Sequence, residues 1–217
     1  MTNQAITFPA RLAKHYLDKG LWRPETLDSH LERAAEKRGD VPALVHLSGQ
    51  ITYAELSQAV SRLAAGLSDL GLGRGDIITT QLPNIPEFLI SHHAIARIGA
   101  IHQTIHMPYG PKDIEFHLAH SRSKAVITLT QFKDTNLASV MVGLCKKLPE
   151  LNYVIVIGSE AKDTIDFSAL SKAGQLPAAG NPPKAEDPCM LLYTSGTTAS
   201  PKGVPLTFQN LLCNAGN

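Results

Sequence analysis

Hydrophobic residues recur along the chain with the periods that mark helices and strands. The best-defined helical pattern follows Thr52, and its apolar positions are spaced by four and three: Leu56, Val60, Leu63, Leu67 and Leu70. Thr52 and Glu55 have the spacing of a capping box at the start of this pattern, and Gly71 follows its last apolar position. The pattern therefore predicts an amphipathic helix with a marked beginning and end.

Short apolar runs alternate with further helical patterns up to residue 157. Other helices are predicted at 26–38, 85–98, 111–120 and 137–147, and strands are predicted at 43–46, 50–51, 76–82, 100–104, 125–129 and 153–157. Asn84 is expected to cap the helix at 85–98, and Pro111 suits the first position of the next helix. This alternation predicts an α/β fold with a mostly parallel sheet covered by helices on both faces.

The chain becomes richer in proline, glycine and polar residues at 158–187. Such composition favours a surface connection, with one short helix predicted near 167–172. A short apolar run at 190–194 then indicates a buried strand. We therefore expect a first α/β subdomain at 1–157, a connection at 158–187, and the start of a further subdomain at 188–217.

Composition excludes several classes of protein. The 217 residues include 20 Lys plus Arg and 19 Asp plus Glu, for a net charge of +1, and 43% are hydrophobic. This balance argues against a disordered chain and against a general nucleic-acid binder. Cys145, Cys189 and Cys213 form no CxxC pair, and no signal peptide or run of about 18 apolar residues is visible. We expect a cytoplasmic protein without a transmembrane segment.

Histidines are concentrated in one part of the chain. Six of the nine fall within 29 residues: His92, His93, His102, His106, His117 and His120. Spacings of three and four residues could place metal ligands on one helix face. No cysteine joins them and no carboxylate obviously converges on them, so we expect core, cap and surface roles and no metal site.

The segment 194–203, TSGTTASPKG, carries the chemistry. Five of its ten residues have hydroxyls, two are glycine and one is lysine. Small residues let the backbone approach phosphate oxygens, hydroxyls and N–H groups donate hydrogen bonds, and an ammonium neutralises charge. Pro201 is expected to hold the exit of the loop and aim Lys202, and Thr207 to cap the helix that follows.

The Walker A loop, G-x-x-x-x-G-K-[ST], is the first comparison for such a segment. Counted from Gly196, the second glycine position is occupied by Pro201, and Gly203 stands where the metal-binding hydroxyl belongs. A Walker-type NTPase is therefore disfavoured.

The stretch YTSGTTASPKGV resembles the signature loop of the adenylate-forming superfamily, [YF]-T-S-G-[ST]-T-G-x-P-K-G-V. It departs from this pattern only at Ala199, where the family usually has glycine. The upstream stretches ITYAELSQAVSRLAAGLSDLGLGRGD and QLPNIPEFLISHHAIARIGAIH also resemble family segments, so the resemblance covers about residues 26–213.

This resemblance implies the N-terminal part of the large domain of an ATP-dependent carboxylate–CoA ligase, incomplete at its C-terminal side. It implies ATP with Mg²⁺, CoA as co-substrate, and a fatty, alicyclic or aromatic acid. The phosphate contacts carried over are Thr194, Ser195, Gly196, Thr197 and Thr198, with Lys202 as their counter-charge. Phe208 is a second departure, because many relatives have histidine there.

Two alternatives stay open beside the ligase. One is a truncated, non-catalytic fragment or binding module, and the other is a phosphotransferase with an atypical glycine-rich loop. The resemblance also implies that the magnesium ligand, the ribose-binding aspartate and the C-terminal catalytic lysine lie in a continuation absent from these 217 residues. We therefore expect this chain alone to have no ligase activity.

Overall fold

The computed structural model describes residues 9–172, 174, 182–194 and 201–215. The helices in these ranges are α1 (Ala10–Asp18), α2 (Leu27–Arg38), α3 (Tyr53–Asp69), α4 (Pro86–Arg97), α5 (Pro111–Ser121), α6 (Leu137–Cys145), α7 (Phe167–Leu170) and α8 (Phe208–Ala215). The strands are β1 (Pro42–His46), β2 (Gly49–Thr52), β3 (Ile77–Gln81), β4 (Ile101–Thr104), β5 (Ala125–Leu129), β6 (Tyr153–Ile157), β7 (Ile165–Asp166), β8 (Pro188–Thr194) and β9 (Lys202–Thr207).

Seven strands form one sheet in the order β7-β6-β5-β3-β4-β8-β9. All neighbouring strands in it run parallel except β8 and β9, which are antiparallel. The first two strands form a separate antiparallel hairpin. The α/β class and the mostly parallel sheet are thus confirmed.

The helices cover both faces of the sheet because alternate strand residues point to opposite sides. Ile127 of β5 belongs to the core cluster that holds Leu63 of α3 and Ile95 of α4. Its neighbour Val126 belongs to a second cluster, with Leu118 of α5 and Met141 of α6. The hydrophobic core therefore lies in two layers, one on each side of the central strands.

Arg97 joins the three helices of the first layer. Its side chain is only 9% exposed, and its Nε donates to Asp28 Oδ1 of α2 at 2.5 Å. The same guanidinium also donates to Glu32 of α2 and to Ser61 of α3. A charge this buried requires such partners, so the end of α4 is fixed to α2 and to the middle of α3.

The local signals of α3 act as predicted, whereas the predicted cap of α4 is wrong. Thr52 and Glu55 form a reciprocal capping box, and Gly71 takes the left-handed conformation with φ +78°. Helix α4 instead has Ile85 at its N-cap, without a side-chain cap, and Pro86 opens the helix. Proline satisfies this position without Asn84 because its φ is already helical and it has no N–H to pair.

Candidate functional site

The candidate site lies where β8 ends and β9 begins. Strand β8 runs parallel to β4, with Gln103 opposite Leu191, and so ends at the same edge as the other parallel strands. Ligands of open α/β sheets bind outside this carboxyl edge. Strand β9 then returns antiparallel to β8, which places Lys202 directly opposite Thr194.

Thr194 and Lys202 are the two predicted phosphate contacts within the described residues, and the sheet brings them together. Both are exposed, and the Lys202 ammonium makes no ion pair with any residue that the structure describes. An exposed ammonium without a carboxylate partner is available to an anionic ligand. The other predicted contacts, Ser195, Gly196, Thr197 and Thr198, lie outside the described residues, as does Ala199.

Tyr193, the residue before Thr194, is enclosed by α5. Its ring meets the ring of His117 nearly at a right angle, with centroids 4.5 Å apart, and its hydroxyl lies 2.7 Å from Nδ1 of His120. Burial raises the pKa of Tyr193 to about 12, so the phenol is neutral at physiological pH. Sequence analysis did not predict this contact.

A layer of polar side chains continues from Tyr193 beneath α5. Gln103 donates through its Nε2 to the carbonyl of His117 at 3.5 Å, and Gln81 donates to the carbonyl of His106 at 3.2 Å. The Oε1 atoms of both glutamines and Nδ1 of His117 are buried without a hydrogen-bond partner among the described residues. Burial also lowers the pKa of His117, against the attraction of Asp113. Unpaired buried acceptors of this kind are commonly satisfied by water.

Three of the other clustered histidines, His92 and His93 of α4 and His102 of β4, lie on the opposite face of the sheet. His102 of β4 is fully buried, with Nε2 at 2.8 Å from Thr80 Oγ1 and Nδ1 at 2.8 Å from Nδ1 of His92. Within the ranges that the structure describes, no three His, Cys, Asp or Glu side chains are arranged to hold a metal ion. The predicted core role therefore fits His102.

Two further expectations concern the C-terminal end of the site. Thr207 accepts from the backbone N–H of Asn210 at 3.2 Å and so caps α8, as predicted. Phe208, at the position where many relatives have histidine, is 1% exposed and packs with Ala96 and Cys189. This departure from the family pattern is therefore a core residue in this chain.

No helix in the described ranges is both long enough and apolar enough to cross a bilayer.

Comparisons with known proteins agree with the geometry of this site. The model of the AMP-binding enzyme family matches residues 31–217. A mitochondrial medium-chain acyl-CoA ligase of Danio rerio is 31% identical over 222 residues, which cover 93% of this chain and 37% of the relative. The vibriobactin-specific 2,3-dihydroxybenzoate-AMP ligase of Vibrio cholerae is 30% identical, over 97% of this chain and 39% of its own length.

The same similarity holds in three dimensions. The apo structure of Mycobacterium smegmatis MbtA superposes with a TM-score of 0.87 and 30% sequence identity, over 97% of this chain and 39% of that one. The chain thus spans 37% to 39% of the length of these relatives. With Thr194 and Lys202, the two ends of the signature segment, placed at the carboxyl edge of the sheet and the family model matched over residues 31–217, the chain belongs to the AMP-binding enzyme family.

Proposed function

We propose that this chain is the N-terminal part of an adenylation domain, and that it holds the phosphates of ATP while a carboxylic acid is activated. The observation that carries the proposal is the placement of Thr194 opposite Lys202, at the two ends of the hydroxyl-rich signature segment and at the carboxyl edge of the sheet.

In the proposed reaction the carboxylate attacks the α-phosphate of ATP, pyrophosphate leaves, and the acyl-adenylate passes its acyl group to a thiol. The chain would supply hydrogen-bond donors and one positive charge to the β- and γ-phosphates. We assign the donors to Thr194, Ser195, Gly196, Thr197 and Thr198, and the charge to Lys202. Mg²⁺ and CoA are proposed from the family alone, and we assign no residue of this chain to hold either of them.

The proposed substrate is a fatty, alicyclic or aromatic acid, and CoA is the proposed acyl acceptor. The names of the two relatives support this range, because one is a medium-chain acyl-CoA ligase and the other activates 2,3-dihydroxybenzoate. A role in fatty acid metabolism and a cytoplasmic location are part of the same proposal. The subdomain boundaries at 157 and 187 also stay a proposal.

The test compares two lysine substitutions in the 217-residue chain. MgATP and pyrophosphate binding are measured by titration calorimetry for the wild type, for Lys202→Ala, and for Lys37→Ala, which removes an exposed lysine of α2. We expect Lys202→Ala to weaken binding of both ligands by roughly tenfold or more, because a charge-assisted contact is lost. Lys37→Ala should leave both affinities within about twofold of the wild type.

The same preparation separates the alternatives. Equal affinities for the two lysine variants would remove Lys202 from its assigned role, and an absence of MgATP binding by the wild type would contradict the proposal. Transfer of phosphate to a hydroxyl with release of ADP would favour a phosphotransferase. We expect the chain to release no pyrophosphate when it is supplied with MgATP, CoA and a panel of carboxylic acids. Turnover in that assay would contradict the expectation that this chain alone has no ligase activity.

A further inference from the structure

We propose that Tyr193 and His120 form a positioning pair, which fixes the start of the phosphate-binding segment to helix α5. This inference rests on the proposed role of residues 194–202, and neither residue of the pair is assigned a contact with ATP. Tyr193 immediately precedes Thr194, so whatever holds its ring also limits the movement of the first assigned phosphate contact.

The ring of Tyr193 is held from more than one direction. His117 packs edge-on against it at 4.5 Å, and His120 lies at 5.5 Å between centroids on the same side. Gly203 is the cross-strand partner of Tyr193, and a Cβ built on it would lie 3.4 Å from Tyr193 Cζ. This distance is ordinary van der Waals contact, so the ring lies over the facing strand while its hydroxyl reaches α5.

The hydrogen bond joins two partly buried side chains. The Tyr193 hydroxyl lies 2.7 Å from His120 Nδ1, and no other partner for that hydroxyl is found among the residues that the structure describes. Burial raises the pKa of Tyr193 to about 12, so the phenol keeps its proton, and the tautomer of His120 decides which partner donates. The contact gives each of these two partly buried groups a hydrogen-bond partner.

Helix α5 is a rigid support for the pair. Ile114 and Leu118 on this helix are each 1% exposed and belong to the core between α5, α6 and the sheet. His117 and His120 are three residues apart and therefore share one helix face. The bond from Gln103 to the carbonyl of His117 adds a polar link between the helix and β4.

Simple space filling is the competing explanation, and it makes a different prediction. If Tyr193 only fills a gap, then Tyr193→Phe keeps the ring and should leave ligand binding unchanged. If the hydroxyl fixes the strand end, the same substitution should weaken phosphate binding although the ring is retained. Tyr153→Phe is a matched control, because the Tyr153 hydroxyl donates to the Leu70 carbonyl at 2.8 Å and its strand, β6, is separated from β8 by three others.

The first measurement is the affinity of the 217-residue chain for MgATP and for pyrophosphate. We expect Tyr193→Phe to weaken both by roughly three- to tenfold, the range of one lost hydrogen bond, and Tyr153→Phe to stay within about twofold of wild type. His120→Phe should reproduce the loss, whereas His120→Gln should restore part of the affinity because its amide can either accept from the phenol or donate to it. The double variant Tyr193→Phe/His120→Phe should be no weaker than either single variant.

The second measurement does not need a ligand. Amide hydrogen exchange is followed at the facing strand ends, residues 192–194 and 202–204, and is expected to speed up roughly three- to tenfold in Tyr193→Phe but not in Tyr153→Phe. Failure of the wild type to bind MgATP would contradict the proposed function, while exchange would still test the pair. The positioning role would be overturned if Tyr193→Phe kept both the wild-type exchange rates at the strand ends and the wild-type affinity for MgATP and pyrophosphate.

Discussion

Three histidines on α4 and β4 are held in the neutral form by their surroundings. Burial lowers the pKa of His92 and of His93 to about 4, and it lowers the pKa of fully buried His102 well below its ordinary value. The Nδ1 atoms of His92 and His102 share a hydrogen bond of 2.8 Å, so only one of the two can carry a proton there. The contact itself therefore opposes double protonation.

These histidines predict a loss of stability in mild acid. In the unfolded chain they titrate near their ordinary value of 6.5, whereas in the folded chain His92 and His93 remain neutral down to about pH 4. Protons therefore bind the unfolded state preferentially, and stability present above pH 6.5 is lost as the pH falls toward 4. Each of the two contributes up to about 3 kcal/mol to this loss. The free energy of unfolding in urea, measured between pH 7 and pH 4, checks the prediction.

Single substitutions separate this effect from the titration of carboxylates. His93→Gln should reduce the difference in unfolding free energy between pH 7 and pH 4, because one low-pKa group is removed. His46→Gln, at the end of β1, is the control and should leave the difference unchanged. If His93→Gln has the same pH dependence as the wild type, His93 does not contribute to the acid sensitivity.

The candidate site shows which contacts can be predicted from residue types and their spacing in the sequence. The signature motif predicts Thr194 and Lys202 as phosphate contacts because their residue types and spacing suit phosphate chemistry. The contact of Tyr193 with His120 joins residues 73 positions apart, and neither has a distinctive local sequence. The three-residue spacing of His117 and His120 indicated a shared helix face, but it did not indicate that Tyr193 packs against that face.

At the scale of elements, the packing of α3 against α7 depends on one glycine. A Cβ built on Gly66 would lie 2.6 Å from the carbonyl oxygen of Leu170 and 3.0 Å from its Cβ. The nearest obstacle is backbone, so the side chain of Leu170 cannot relieve it by changing rotamer. Gly66→Ala should therefore lower the free energy of unfolding by about 1–2 kcal/mol. Alanine favours a helix more than glycine does, but the steric clash with Leu170 is larger than this gain.

Gly143 of α6 provides the opposite control. Nothing lies within 4 Å of a Cβ built there, and the residue is inside a helix. Gly143→Ala should therefore stabilise the chain by about 0.5–1 kcal/mol through helix propensity alone. Urea unfolding of both variants provides the comparison, and stabilisation by both substitutions would show that α7 does not pack closely on α3 in solution.

Elements with strong local signals were predictable, and those made by distant pairing were not. The strands β5 and β6 match the predicted ranges, because short, mainly apolar runs between turn signals have few alternatives. Strand β9 was not predicted, since Lys202–Thr207 contains a glycine and a proline and is extended by pairing with β8. In the connection at 158–187, helix α7 lies within the short helix predicted near 167–172, whereas the two residues of β7 give no periodic pattern.

At the scale of the whole molecule, the hairpin that carries the candidate site is joined to the rest by the sheet and by a small core. Cys189 of β8 has no exposed surface and packs with Ala96 of α4 and Phe208 of α8. Arg74, between α3 and β3, also pairs with Asp187 just before β8, at 2.5 Å. These contacts join the C-terminal elements to both β4 and α4, so we expect the hairpin and the central sheet to unfold as one cooperative unit.

The Cys189 thiol is a probe of this cooperativity, because burial raises its pKa to about 12 and leaves no reactive thiolate in the folded state. In the variant Cys145→Ala/Cys213→Ala, Cys189 is the single thiol of the chain. Its labelling by a thiol reagent across a urea series should then give the same free energy of opening as circular dichroism gives for global unfolding, to within about 1 kcal/mol.

Cys189→Ala/Cys213→Ala is the control, because it retains Cys145, which lies at the end of α6 and is only partly buried. Partial exposure allows local fraying to expose this thiol, so it should be labelled at lower urea concentrations than Cys189. If Cys189 instead opens at a free energy several kcal/mol below that of global unfolding, β8 and β9 detach from the sheet on their own. In that case the relative positions of Thr194 and Lys202 would depend on other contacts of the hairpin and not on its pairing with the central sheet.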